Sequence, residues 1–248
     1  IGLSMGTVWG GEDQSEGLDT FLEIFFDRGD ERGEEDDELA NQLAGYDVRW
    51  NVPNETQPFA MYFQAIGEDS HGGLPSDFVG LFGLETWGAW GNNGGSYRLV
   101  MEFADTRTRF YRGEAEYGTA YNHDNYATGY RYRGRNIAHS ADGDARVGFI
   151  ALHVADRLHR TWALSLRGGR LNEGDEDGRP NAQTDIGNRR DIAEDFGSLA
   201  FDAELPWGHR RLGLGLAYTY SNRRGPNILT EEEGDPDSEV IGRLSVEF

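Results

Sequence analysis

Ten short segments of this chain alternate apolar and polar side chains, and the connections between them alternate between long and short. Arg211–Ser221 is the clearest: Leu212, Leu214, Leu216, Tyr218 and Tyr220 interleave with Gly213, Gly215, Ala217, Thr219 and Ser221, the period of two that marks a strand with one greasy face. The other segments are Ile1–Trp9, Tyr46–Val52, Pro58–Gly67, Asp77–Trp87, Ser96–Asp105, Ala145–Ala155, Arg160–Gly169, Phe196–Leu205 and Val240–Phe248. Short turns fall at 53–57, 88–95, 156–159 and 206–210, and long connections at 10–45, 68–76, 106–144, 170–195 and 222–239. A soluble sandwich has no reason to sort its connections in this way. A transmembrane antiparallel β-barrel does, with long loops on one side of the membrane and tight turns on the other. The expected fold is therefore all-β, about ten strands of such a barrel.

Composition agrees with that reading by exclusion. No run approaches the roughly 20 apolar residues that a spanning helix needs, whereas barrel strands dilute their hydropathy by alternation. The net charge of −21, with every basic residue an arginine, makes nucleic acid an unfavourable partner because the phosphate backbone would be repelled. Cysteine is absent, which removes disulfides and thiolate metal sites. Trp9, Trp87, Trp162 and Trp207 lie near strand ends, where interfacial aromatic girdles belong. The terminal Phe248 suggests a periplasmic C-terminus, which puts the five long connections outside the cell. The chain opens on Ile1 with alternation already under way, so no signal peptide is legible and an upstream portion is expected. In the first long loop Leu18, Phe21, Leu22, Phe25 and Phe26 fall at helical spacing and predict a short amphipathic helix. The acidic run 34–38 reads as solvated loop, without the glycine-punctuated spacing of a calcium site.

The longest polar surprise is Tyr111–Asp144. Tyr117, Tyr121, Tyr126, Tyr130 and Tyr132 are separated by turn-forming residues, so they form no simple helical or strand stripe. Aromatic faces stack on sugar rings, and arginine forks grip carboxylates or phosphates of an acidic polymer. Arg131, Arg133 and Arg135 alternate with Tyr130, Tyr132 and Gly134, so an extended backbone would set the three arginines on one face. The candidate carbohydrate-binding residues are Tyr117, Tyr121, His123, Tyr126, Tyr130, Arg131, Tyr132, Arg133, Arg135 and His139. The competing explanation is a folded loop whose tyrosines pack on one another and bond to arginine.

The segment YNHDNYATGYRYRGRNIAHSADGD, with NQLAGYDVRW at 41–50, QAIGED at 64–69, LPSDFVGLFGLETW at 74–87 and EFADTR at 102–107, resembles the Wzi family of capsule-assembly outer-membrane proteins. The matches run in order through the first 145 residues or so, while the last hundred share only barrel character. The resemblance implies an outer-membrane surface lectin for capsular polysaccharide or exopolysaccharide, in contact with membrane lipid and lipopolysaccharide, with no enzymatic activity and no cofactor. It also implies an eighteen-stranded barrel, of which this chain supplies the C-terminal part. Ala138 stands in RNIAHS where the family pattern leads one to expect glycine.

Two other functions fit some of the residues. Arg49, Arg98, Glu102, Arg167, Asp202 and Glu204 share the polar strand face and could line a porin-like channel. His123 with Asp124, and His139 with Ser140 and Asp142, hold the ingredients of an outer-membrane hydrolase, though sequence adjacency is not triad geometry.

Overall fold

A computed structural model describes residues 1–9, 17–19, 22, 40–54, 56–71, 74–90, 94–122, 129–132, 135–173, 193–224 and 236–247. Ten strands form one antiparallel sheet: β1 (Gly2–Trp9), β2 (Ala40–Val52), β3 (Phe59–His71), β4 (Leu74–Trp90), β5 (Gly95–Asp105), β8 (Arg146–Ala155), β9 (Thr161–Leu171), β10 (Ala193–Trp207), β11 (Arg210–Arg224) and β12 (Asp237–Glu247). Each is paired with its neighbours in that order. Between β5 and β8 a separate hairpin is made by β6 (Arg131–Tyr132) and β7 (Arg135–Asn136).

The register explains why this sequence makes this sheet. Residues directly paired across an antiparallel ladder share a face. One row runs Trp50, Met61, Leu84, Met101, Ile150, Leu166, Leu199, Tyr218, Val240 from β2 to β12. A second, two residues away, runs Val52, Phe59, Thr86, Leu99, Leu152, Leu164, Phe201, Leu216. Trp50, Ile150, Leu166, Leu199, Tyr218 and Leu244 are exposed along this face, which in water would be costly and against lipid is not. Toward the long connections the same face ends in a charged row, Asp105, Arg146, Arg170, Asp195, so the apolar surface is a band with a polar rim. No helix among the described residues is long and apolar enough to cross a membrane.

The opposite face is polar. Arg49, Tyr62, Gly83, Glu102, Phe149, Arg167 and Ser198 form one row of it, and Arg98, His153, Ala163 and Asp202 another. All six residues considered as pore-lining lie on this face. Their charges are largely paired: Arg49 and Arg98 both bond Glu85, at 2.8 and 2.6 Å, and Arg243 bonds Asp202 at 2.8 Å.

Several expectations need correction. The strands outrun their alternating segments: β2 begins at Ala40 rather than Tyr46, and β11 runs on to Arg224. Backbone ladders continue past the apolar band, where both faces are polar and alternation fades. For the same reason the loop expected at 68–76 is mostly strand, with β3 reaching His71 and β4 resuming at Leu74. Gly80 and Gly83, two glycines whose place in the sequence suggests a bend, do not interrupt β4; each makes room for a ring, since a Cβ would lie 2.8 Å from Phe110 at Gly80 and would collide with Tyr62 at Gly83. Tyr62 crosses that gap to reach Glu102 at 2.5 Å, two strands away. Trp87 pairs with Arg98 on the polar face and so is not part of a lipid-facing girdle, whereas Trp90 is the exposed one at that end of β4. The helix expected over Leu18–Phe26 and the acidic run 34–38 fall largely or wholly outside the described residues.

Candidate functional site: the loop between β5 and β8

The loop is closed at its base by Thr106 and Ala145. The Thr106 N–H donates to the Ala145 carbonyl at 2.8 Å, and the Ala145 N–H returns to Thr106 Oγ1 at 2.9 Å. From this clasp the chain takes two paths. A 3-10 turn at Phe110–Arg112 lays its rings on the apolar face, where Phe110 meets Phe82 edge-on at 6.2 Å and Tyr111 lies 6.4 Å from Phe78. Tyr46 meets Phe78 at 5.3 Å, so the rings gather at the rim of the apolar band. Arg109, with φ of 57°, begins that turn and forks onto Asp77, one contact being 2.8 Å.

The rest of the loop packs on the polar face. Ala120 and Tyr121 cluster with Leu43 and Val79, with Ile66, Tyr130 and Ala138 against them. Ala141 and Ala145 cluster with Val147, Leu171 and Phe196. Leu43, Ile66, Val79, Val147 and Phe196 all belong to the polar face by register, so the loop covers its end from β2 to β10. The fit is close: a Cβ on Gly6 would fall within 1.8 Å of the Tyr130 hydroxyl.

Arg131 holds this body together. Its Nε and Nη2 donate to Asp142 at 3.0 and 2.7 Å, and Nη1 donates to the Tyr121 carbonyl at 3.2 Å and to Asn122 Oδ1 at 2.9 Å. Asp142 also accepts from Asn136 Nδ2 at 2.6 Å and from the Gly143 N–H at 2.9 Å. Tyr121 and Arg131 are only 1% and 5% exposed. Burial pushes the Tyr121 hydroxyl well above its ordinary range, with Glu68 and Asp142 adding to the effect. The Glu68 carboxylate accepts the Tyr121 N–H at 2.6 Å, tying the loop to β3.

The ten candidate residues therefore divide. Tyr121 and Arg131 are interior parts of the loop, with almost no surface to offer a ligand. Tyr117 and Tyr130 are half-buried, and Tyr132 is 63% exposed on the β6–β7 hairpin, with Ile137 exposed just after it. Arg131 and Arg135 do not share one extended face, because the chain reverses between Tyr132 and Arg135: Arg131 pairs with Asn136 and Tyr132 with Arg135. His123, Tyr126 and Arg133 lie outside the described residues.

His139 is half-buried, and its Nδ1 accepts the Ala141 N–H at 3.2 Å. Burial, then the nearby Arg167 guanidinium, lowers its pKa, opposed by Glu102. Ser140 Oγ takes an Nη2 hydrogen of Arg167 at 3.1 Å. The His139, Ser140 and Asp142 side chains thus each bond elsewhere and form no relay. Among the described residues no three metal-ligating side chains gather. Glu68, Asp77, Arg109 and Asp142 were not singled out as anchors by sequence; the only signal for Glu68 and Asp77 was a charge at a strand position where the apolar band had ended.

A model of the family described as capsule assembly protein Wzi matches residues 1–232. An uncharacterized 55.8 kDa protein in the cps region of Klebsiella pneumoniae is 35% identical over 109 residues, which is 44% of this chain and 21% of that protein. Among solved structures, Wzi of Escherichia coli, an outer membrane protein involved in group 1 capsule assembly and described as a carbohydrate-binding β-barrel, superposes with a TM-score of 0.67. At 24% identity that likeness is one of fold; it covers 98% of this chain and 47% of the E. coli protein. The chain spans less than half the length of either relative.

Proposed function

The chain belongs to the capsule assembly protein Wzi family, and on that premise we propose that it is part of an outer-membrane β-barrel, eighteen-stranded in the whole protein, that binds capsular polysaccharide or exopolysaccharide as a surface lectin. The observation that carries this reading is the division within the β5–β8 loop. A buried arginine–carboxylate core fixes its body, and above that core Tyr132 and Ile137 stand exposed. A rigid flat ring at the surface costs little ordering entropy when it stacks on a sugar. The proposed ligand residues are Tyr132, the half-buried Tyr117, Tyr130 and His139, and His123, Tyr126, Arg133 and Arg135 of the same loop. Tyr121 and Arg131 act beneath it, as supports. Binding needs no chemistry on the polymer, which matches a site whose histidine and carboxylate are engaged in holding the backbone.

The test uses the full-length protein in capsulated cells. Tyr132→Ala is expected to release polysaccharide into the medium while the heat-modifiable mobility of the folded barrel is unchanged. Full capsule retention in that variant would refute the site.

The competing reading is a porin-like channel, since the polar face carries Arg49, Glu102, Arg167 and Asp202 in rows. The loop lies against that same face from Leu43 to Phe196 and so obstructs it on the loop side. Steady conductance of the full-length protein in planar bilayers, without polysaccharide retention, would favour the channel.

A further inference from the structure

The apolar packing of the loop on the polar face reaches Phe196 of β10. Beside it, between Ser140–Ala141 of the loop and β9–β12, lies a cavity of about 310 Å³, within the usual range for a ligand pocket. Its floor is a row set out by the register: Arg167, Ser198, Thr219 and Glu239 are successive partners across β9, β10, β11 and β12. At normal strand spacing that row runs about 14 Å. One wall is apolar, from Ala141, Leu171 and Phe196. The other carboxylates at the cavity, Glu194 and Asp237, stand further out along the strands, and Glu194 accepts the Ser221 hydroxyl at 2.6 Å.

Elsewhere on the polar face the arginines are neutralised, as Arg49 and Arg98 are by Glu85. Arg167 is not. Among the described residues it meets no carboxylate: Nη2 donates to Ser140 Oγ at 3.1 Å, and the guanidinium lies over the Phe196 ring, 5.4 Å from its centroid. A hydroxyl and a ring hold the cation in place without cancelling its charge, and the rest of its donor fork is unspent. The Ser198 and Thr219 hydroxyls likewise have no partner among the described residues, nor has Glu239 a cation. A sugar ring matches both surfaces, with CH faces for the apolar wall and hydroxyl edges for the floor. We propose that this cavity is a second subsite for the polysaccharide, taking an acidic sugar whose carboxylate meets Arg167 and whose neutral neighbour lies over Ser198 and Thr219 toward Glu239. This rests on the polysaccharide-binding reading above and deepens it by naming the charge of the sugar and its direction in the site. A guanidinium grips a carboxylate through two parallel hydrogen bonds. Glu239, at the far end, accepts from sugar hydroxyls and repels a second carboxylate, so the acidic sugar fits at one end only. The chain's net charge of −21 sharpens the test, because its overall field favours a neutral polymer over an acidic one. A preference for the acidic polymer must then come from a local cation.

The test titrates purified full-length protein in mild detergent with capsular polysaccharide from the parent strain, intact and after reduction of its carboxylates to primary alcohols. The intact polymer is expected to bind at least about tenfold more tightly, the margin of a charge-assisted hydrogen bond. Arg167→Gln should bring the intact polymer down to the affinity of the reduced one. Ser198→Ala with Thr219→Val should weaken both polymers alike. Tyr132, which is not among the cavity's walls, should on replacement by alanine weaken both while preserving their ratio. Equal binding of the two polymers, a polymer that carries no carboxylate, or a preference that survives Arg167→Gln overturns the subsite and leaves the polysaccharide reading standing. Binding of neither polymer overturns both. Should Arg167→Gln not fold, as judged by heat-modifiable mobility, the comparison of the two polymers and the Ser198–Thr219 variant decide alone.

Discussion

Arg131 and Asp142 form a two-pronged ion pair with side chains 1% and 2% exposed, eleven positions apart in the chain and enclosed by the loop they hold. Such a pair earns little net stability against an apolar substitute, but removing one partner strands the other charge, at a cost of about 3–5 kcal/mol. Arg131→Ala is therefore expected to release the loop while the sheet persists. Hydrogen exchange over 106–145 should rise to unprotected rates in this variant, with protection of β8 and β9 retained. Arg131→Lys keeps the charge without the fork and should fall between.

Acidification is expected to loosen the same loop through His139. Its folded pKa is lowered by burial and by Arg167, so the unfolded loop binds the proton more readily than the folded one. Stability from this group is then complete above the unfolded value of about 6.5 and is lost as pH falls below it. Protonation also ends the acceptor role of Nδ1 toward the Ala141 N–H. Protease nicking of the loop should increase between about pH 6.5 and 5, and His139→Gln should flatten that dependence.

Gly83→Ala and Gly197→Val should move stability in opposite directions. A Cβ at Gly83 collides with the Tyr62 ring and breaks its reach to Glu102, an overpacking cost of about 1–3 kcal/mol. At Gly197 the space is open, and a β-branched residue improves strand propensity. Unfolding midpoints in detergent should fall for the first and rise for the second.

Arg109→Ala is expected to free the 3-10 turn from β4 without disturbing the polar-face body of the loop. Its partner Asp77, with φ of 53°, already interrupts the β3–β4 pairing between Gly67–Phe78 and Asp69–Ser76. Fluorescence of Tyr111 derivatives or cross-linking between positions 78 and 111 reports the loss, and unchanged proximity would show that ring packing alone holds the turn.

Strand identity and the antiparallel order were legible in the chain, because Arg211–Ser221 and its like repeat a period that only a strand with one apolar face satisfies. Strand ends were not, since ladders such as Asp69–Ser76 and Glu194–Arg223 lie beyond the apolar band and carry no alternation. In the loop, residue type did not reveal direction. Arg131 and Tyr132 are neighbours with the chemistry of sugar contacts, yet one is interior and the other exposed, a distinction set by Asp142 and by the reversal to Arg135. The pairing Tyr121–Glu68 spans 53 positions and joins backbone to carboxylate, a contact that no spacing rule anticipates.

The clasp of Thr106 and Ala145 brings the ends of the loop together within one ladder rung of β5 and β8. The intervening chain is in effect a cassette: its two splice points are fixed and its interior is keyed by Arg131. On the function proposed above, a protein built this way is refitted to a chemically different polymer by rewriting a few residues about Tyr132, while the sheet is inherited without revision.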